Sequence, residues 1–293
     1  HIPTVEDWIR INKRVPRLVS VLPNGPVYHP TVNAFMAGGV PEVMLHLRSL
    51  GLLHEDVMTV TGNTLKENLD WWEQSERRQI FKELLFKQEQ VAADDVIMSP
   101  QQAAKRGLTS TITFPVGNIA PEGSVIKSTA IDASVINEEG VYYHKGAAKV
   151  YLSEKAAIYD IKHDKIKAGD ILVIIGAGPS GTGMEETYQV TSALKHLSYG
   201  KHVSLITDAR FSGVSTGACI GHVGPEALAG GPIGKLRTGD IIEIKIDCKQ
   251  LHGEVNFLGT DIESILPSRE EAAALLNARN THPDLMPDPE LPD

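Results

Sequence analysis

Two short segments hold the side chains whose types and spacing allow chemistry. The first is Leu205–Glu226, LITDARFSGVSTGACIGHVGPE. The apolar run Val203–Ile206 leads to Asp208, and reads as a buried strand that delivers its last residues to a rim. Ser212 follows, next to Gly213, on a turn whose backbone lets a ligand come close. Such a hydroxyl can act as a nucleophile or a base. It can equally bond nothing but its own turn. Asp208 and Arg210 are either substrate-orienting charges or, more commonly for such neighbours, a structural ion pair. His222 reads as a corner histidine that bonds backbone.

The second segment is Asp170–Glu186, DILVIIGAGPSGTGMEE. Ile171–Ile175 is a β-branched run, and Gly176, Gly178 and Gly181 fit G-x-G-x-x-G, the fingerprint of flavin and nicotinamide proteins. The rest of that fingerprint does not follow. Its acid should come roughly 20 residues on, whereas Asp208 lies 32 positions beyond Gly176. Glu185 and Glu186 would set two carboxylates where a pyrophosphate needs a bare helix N-terminus. No Gly-Lys-Ser/Thr closes the run, so it is not a P-loop. A dinucleotide-binding protein using the GAGPSG loop remains an alternative reading.

These segments need elements to hold them. Residues 1–105 read as mostly helical. Pro41 and Gly51 bracket a helix over Glu42–Leu50. Thr64 with Glu67 makes a capping box for a helix through Trp71 and Trp72. Asp56–Thr61 reads as a short strand. Ser75–Asp95 carries Ile80, Phe81, Leu84 and Leu85 on one amphipathic face, and Trp71, Trp72 and Phe81 read as core. From Leu108 the period changes to 2, with strands predicted at Thr111–Pro115, Ser124–Lys127, Ala133–Asn137 and Ala147–Leu152. Ser153 caps a helix over Glu154–Lys162. Strand Ile171–Ile175, a helix from Glu185 to His196 and strand Val203–Thr207 come next. Asp240–Lys249 alternates as a late antiparallel strand, and Ser268 with Glu271 caps a last helix ending near Ala278. The pattern is an α/β chain: a mainly helical first part, then a barrel-like β-rich part.

Composition narrows the function. The 293 residues carry a net charge of −9, which offers no basic stripe for nucleic acid. The two cysteines, Cys219 and Cys248, are too few and too scattered for a zinc or iron–sulfur site, and they fit a reducing, cytoplasmic compartment. No apolar run is long enough to span a membrane.

Taken together, the segments resemble the dihydroxy-acid and 6-phosphogluconate dehydratase family, including its sugar-acid (aldonate, xylonate-type) members. Gly178–Glu186 resembles the family's Gly-Pro…Gly-Met-x-Glu segment, and Thr191–Leu194 its Thr-Ser-Ala-Leu helix start. Thr207–Gly213 matches its Thr-Asp-Gly/Ala-Arg-Phe-Ser-Gly, and Ile220–Ala227 its Ile-Gly-His-Val-x-Pro-Glu-Ala. Val60–Asn68 and Gly117–Gly123 are similar to two upstream blocks. The likeness runs in family order from about Arg17 to about Ile246.

The resemblance implies a hydro-lyase that removes water from a 2,3-dihydroxy (sugar) acid to give a 2-oxo-3-deoxy acid. It implies Ser212 as the base at C2, working as an alkoxide, and Glu186 as a magnesium ligand. Ser215 and Asn118 are its substrate-side candidates, although this chain reads Gly213-Val214-Ser215 where many members read Gly-Gly-Thr. It places Lys127 beside the site without a role, and brings His29 toward the substrate. The cofactors implied are Mg2+ and an iron–sulfur cluster, 2Fe–2S or 4Fe–4S, whose Lewis-acidic iron carries hydroxide away and whose ligands lie in a missing N-terminal half. Residues 1–105 are then the C-terminal part of the N-terminal α/β/α domain. Residues 106–262 are a swivelling β/β/α barrel-like domain, and 263–293 a C-terminal helix and tail. The expected partners are a small sugar-acid substrate and copies of the chain in a homodimer or homotetramer, with neither nucleic acid nor membrane. The chain alone is expected to be inactive. A non-catalytic swivelling domain is the remaining alternative.

Overall fold

The computed structural model describes residues 2–22 and 25–290. They divide into two units, Ile11–Ser110 and a second within His1–Arg10 and Thr111–Asp293.

The Ile11–Ser110 unit is helical. Its longer helices are Gly39–Ser49, Leu65–Gln74 and Glu76–Glu89. Thr64 accepts from the Glu67 N–H and Glu67 returns to the Thr64 N–H, so the capping box forms as read from sequence. Trp72 is buried with Leu45 and Leu69, but Trp71 is 65% exposed. Successive residues point about 100° apart around a helix, so only one of the two can face this core. On Glu76–Glu89, Leu85 is buried and Ile80 is exposed, so the apolar face is only partly covered in this unit. The strand expected at Asp56–Thr61 is a turn with an isolated Met58–Thr64 bridge. Here Thr59 Oγ1 donates to the Asn63 carbonyl and accepts from Asn68 Nδ2, local bonds that compete with a sheet ladder.

The second unit is built on a nine-stranded sheet. Its strands are β1 (Ile112–Thr113), β2 (Pro115–Val116), β3 (Gly123–Lys127), β4 (Val141–Tyr151), β5 (Ile171–Ile174), β7 (Ser204–Thr207), β9 (Cys219–Gly224), β10 (Ile241–Asp247) and β11 (His252–Gly259). The order is β1-β3-β9-β7-β5-β4-β10-β11-β2. The two edge strands, β1 and β2, are separated in sequence by Phe114 alone, so the sheet curls round and almost closes as a barrel. Two-residue strands β6 (Glu186–Thr187) and β8 (Arg210–Phe211) form a separate parallel ladder.

Alternation along β5 explains the layers. Ile171 and Val173 join an inner cluster with Ile206, Ile220, Ile242, Ile244, Val255 and Phe257. Leu172 and Ile174 face the other way, into a cluster with Ala157 and Ile161 of helix Glu154–Lys162 and Val190 and Leu194 of helix Gln189–Lys195. A strand covered on both faces reads as a continuous apolar run, which is what Ile171–Ile175 shows. Helix Arg269–Ala278, capped by Ser268, sends Ala272 and Leu276 into the inner cluster. It belongs to the sheet-bearing unit.

Two predicted elements of this unit differ, and one strand was not predicted. In the strand expected at Ala133–Asn137, Ala133–Val135 is a 3-10 turn, because Asp132 accepts from the Ser134 N–H and hydroxyl and caps it. The helix expected from Glu185 starts at Gln189, and Glu186–Thr187 are strand β6. Strand β11 was not anticipated, although it pairs antiparallel along the whole length of β10.

Candidate active site

β5 and β7 are parallel neighbours, Ile171 opposite Ser204 and Ile174 opposite Thr207. Their C-terminal ends therefore open on one rim, where open parallel sheets place their ligand sites. Each end feeds one of the two chemically distinctive segments. The β6–β8 ladder then zips the segments together, with Glu186 paired to Arg210 and Thr187 to Phe211. Directly paired residues of a parallel ladder share a face, and side chains alternate along each strand. Thr187 is buried, while Glu186 and Arg210 are exposed on the other face. Ser212 lies one residue beyond the end of β8, at the start of a turn, and is half-buried. Glu186 and Arg210 thus share one side of this ladder, and Ser212 follows directly after its end.

The Ser212 turn is closed by its own backbone. Ser212 O accepts from the Ser215 N–H at 3.0 Å, and Ser212 Oγ accepts from the Val214 N–H at 3.4 Å. Lys127 Nζ, from the end of β3, donates to the Gly213 carbonyl. Burial pushes the Lys127 ammonium below the usual lysine range.

The glycine loop is held by carboxylates of this chain. Asp208 is 1% exposed and accepts from the N–H groups of Gly176 (3.1 Å), Ala177 (3.0 Å) and Ala227 (2.9 Å). Burial pushes its carboxyl above the usual range, and those three donors pull it part of the way back. Glu226 accepts from the Ser180 N–H and hydroxyl. The N–H groups that a pyrophosphate would use are therefore already bonded to carboxylates. The glycine spacing has a local cause as well. A Cβ at Gly178 would lie 2.4 Å from Glu226 Oε2, and one at Gly181 would lie 1.9 Å from the Gly176 carbonyl. The Asp208–Arg210 ion pair expected from sequence is replaced by this backbone cradle, which leaves Arg210 exposed opposite Glu186.

The remaining candidates separate. Ser215 is buried, and its hydroxyl accepts from Thr191 Oγ1 at 3.2 Å, which ties the turn to helix Gln189–Lys195. Asn118 spends its side chain on β11. Its Nδ2 donates to the Phe257 carbonyl and its Oδ1 accepts from the Phe257 N–H. None of its bonds reaches the Ser212 turn. His222 donates its backbone N–H to the Ala209 carbonyl and meets Phe211 edge-on at 5.9 Å. Its φ of 53° marks a left-handed residue inside a strand. Sequence reasoning missed Glu226 and Glu154. Glu154 accepts from the Val190 N–H and so sets where the helix after β6 begins. Neither carries a signal in its own neighbourhood, because their partners lie 46 and 36 residues away.

Glu186 supplies one hard oxygen donor on an open face, which suits a magnesium ion held by one or two carboxylates and substrate. Among the described residues there is no group of three or more His, Cys, Asp or Glu able to hold a metal. An iron–sulfur cluster does not fit this chain's thiols. Cys219 is buried on β9 and Cys248 follows β10, and burial pushes them up to about 12 and about 11, away from the thiolate that such clusters require. No helix among the described residues is long and apolar enough to cross a membrane.

Comparison with known proteins places the chain in a family. Residues 95–282 match the family model described as dihydroxy-acid/6-phosphogluconate dehydratase C-terminal, and residues 1–68 match the corresponding N-terminal model. Two D-xylonate dehydratases of Escherichia coli (strain K12) are similar over the whole chain. YjhG is 88% identical, with 45% of its length covered, and YagF is 67% identical, with 44% covered. A dihydroxy-acid dehydratase of Acetivibrio thermocellus is 40% identical over 84% of this chain and 40% of its own. The chain spans less than half the length of these curated relatives. It belongs to the dihydroxy-acid/6-phosphogluconate dehydratase family.

Proposed function

We propose that the full-length protein carrying this chain is a hydro-lyase that converts a 2,3-dihydroxy sugar acid, D-xylonate first among the candidates, into the 2-oxo-3-deoxy acid. The observation that supports this most is the β6–β8 ladder, which pairs Glu186 with Arg210 and ends one residue before Ser212. The chemistry has two difficulties. The C2 hydrogen is weakly acidic beside a carboxylate, and hydroxide at C3 is a poor leaving group. Ser212 Oγ, as an alkoxide, takes the C2 proton first and leaves an enediolate, whose electron pair then forms the C2–C3 double bond as the C3–O bond breaks. The enol then takes a proton at C3, gives up its O–H proton and becomes the ketone. Arg210 presents a fixed positive charge on the substrate side. Magnesium, when bound through Glu186, stabilises negative charge on the substrate carboxylate as the proton leaves. Departure of the C3 hydroxide is assigned to no residue of this chain. In this reading the enzyme is a cytoplasmic homodimer or homotetramer.

The test is product formation by the full-length enzyme on D-xylonate, D-gluconate and 2,3-dihydroxyisovalerate. The reading expects the sugar acids to be turned over faster than the branched acid, and the 293-residue chain alone to turn over none. Preference for the branched acid contradicts the sugar-acid assignment, and turnover of none by the full-length enzyme contradicts the reaction.

A further inference from the structure

Ser212 has to lose its proton before it can act as a base, and among the described residues no histidine or carboxylate bonds its hydroxyl. What the structure sets beside it is a buried cation. Lys127 is 6% exposed, and among the described residues no carboxylate forms an ion pair with it. Its ammonium donates instead to the carbonyl of Gly213, the residue after Ser212. That carbonyl belongs to the peptide whose N–H, on Val214, points at Ser212 Oγ. Ammonium, peptide and hydroxyl are thus in series, and hydrogen bonds in series polarise one another in a low-dielectric setting. A second tie, from the Gly217 N–H to the Ala130 carbonyl at 2.9 Å, fastens the same loop to the chain just beyond β3.

Burying an ammonium without a counter-charge is costly. The cost is offset if negative charge develops nearby during the reaction, and an alkoxide at Ser212 is such a charge. We propose that Lys127 is the positioning residue that poises Ser212 as a base, by gripping the Gly213 carbonyl and polarising the Gly213–Val214 peptide toward the serine oxygen. This rests on Ser212 being the base.

The experiment uses the full-length dehydratase and reads C2 hydrogen–deuterium exchange of substrate in D2O together with kcat and KM. Lys127→Met removes the charge and keeps the apolar stem. It should lower kcat and exchange about 30- to 100-fold, on the scale of losing one transition-state hydrogen-bond donor, with KM within about threefold. Lys127→Arg keeps a cation and should retain more activity than Lys127→Met. Packing alone ranks the two the other way, because methionine fills a lysine stem's space better than a guanidinium does. If Lys127→Met does not fold, an amide-to-ester replacement at exposed Val214 decides. It deletes the N–H aimed at Ser212 and should slow exchange at least about 100-fold. Exchange by Lys127→Met, or by the folded ester variant, within about threefold of the parent overturns the proposal. Lys127→Arg falling below Lys127→Met overturns it too. A Ser212→Ala enzyme that still exchanges C2 hydrogen removes the reading beneath it, which is a separate outcome.

Discussion

Replacing Asp208 with alanine should loosen the rim that carries both Glu186 and Ser212. Its carboxylate is 1% exposed and takes three backbone donors: Oδ2 accepts from Gly176 and Ala227, and Oδ1 from Ala177. A buried N–H left without an acceptor costs about 1–3 kcal/mol, so three of them give about 3–9 kcal/mol before relaxation. Part of this returns, because burial already disfavours the charged carboxylate and alanine removes the charge. We expect a net loss of about 3–5 kcal/mol for Asp208→Ala, in the range of the severest single substitutions. Asp208→Asn is the control. Its amide oxygen can stay where Oδ2 is and keep two of the three bonds, while its NH2 faces the Ala177 N–H. The loss is then one bond, about 1–3 kcal/mol. Urea denaturation followed by far-ultraviolet circular dichroism, with unchanged slope, measures both. A loss below about 1 kcal/mol for Asp208→Ala, typical of a surface change, would refute the view that this carboxylate holds the glycine loop.

Glu42 gives a pH prediction for the helical unit. Burial raises its carboxyl, but bonds from Arg78 (2.7 and 2.8 Å) and Lys82 (2.8 Å) outweigh burial and hold it down at about 2. A carboxyl depressed in the folded state stabilises above its unfolded value, near 4.5, and that contribution is lost as pH falls toward 2. The contribution at neutral pH is about 3 kcal/mol. Glu42→Gln should therefore be less stable at pH 7 and show a flatter stability profile between those two values. An identical acid profile for parent and variant contradicts the pairing. For the glycine loop, FAD, NAD and NADP at millimolar concentration should leave the melting temperature unchanged, since Asp208 and Glu226 already take its N–H donors. A saturable upward shift restores the dinucleotide reading.

How far the sequence spoke depended on whether a feature was local. The caps at Thr64, Ser153 and Ser268 were legible, because each joins residues three apart. So were β5, β7 and β10, whose apolar runs carry the burial themselves. Strand β6 was not. Glu186–Thr187 is extended because it pairs with Arg210–Phe211 across 24 residues, and its composition reads as a helix start. The family motifs pointed to Ser212 and Glu186, and the ladder brings the segment of Glu186 to the strand that runs into Ser212. Asn118 and Ser215 lie in equally recognisable blocks, yet their side chains bond β11 and Thr191. A motif marks a block without distinguishing residues that face solvent from those that hold the block in place. The resemblance placed Lys127 beside the site without a role, because its bond to the Gly213 carbonyl joins residues 86 apart.

The account turns on Ser212 as the base at C2, and exchange of the C2 hydrogen of substrate with D2O tests this most directly. The full-length parent should exchange C2 hydrogen during turnover. Ser212→Ala should fold with the parent's stability, since this half-buried hydroxyl accepts only one long bond, from Val214, and should lose exchange by at least about 10³-fold, as expected when a general base is removed. Glu186→Gln should keep measurable exchange that recovers in part at high magnesium, because a ligand has been weakened and the base is still present. A Ser212→Ala enzyme that exchanges C2 hydrogen near the parent rate contradicts the central claim, and the proton must then go to another residue.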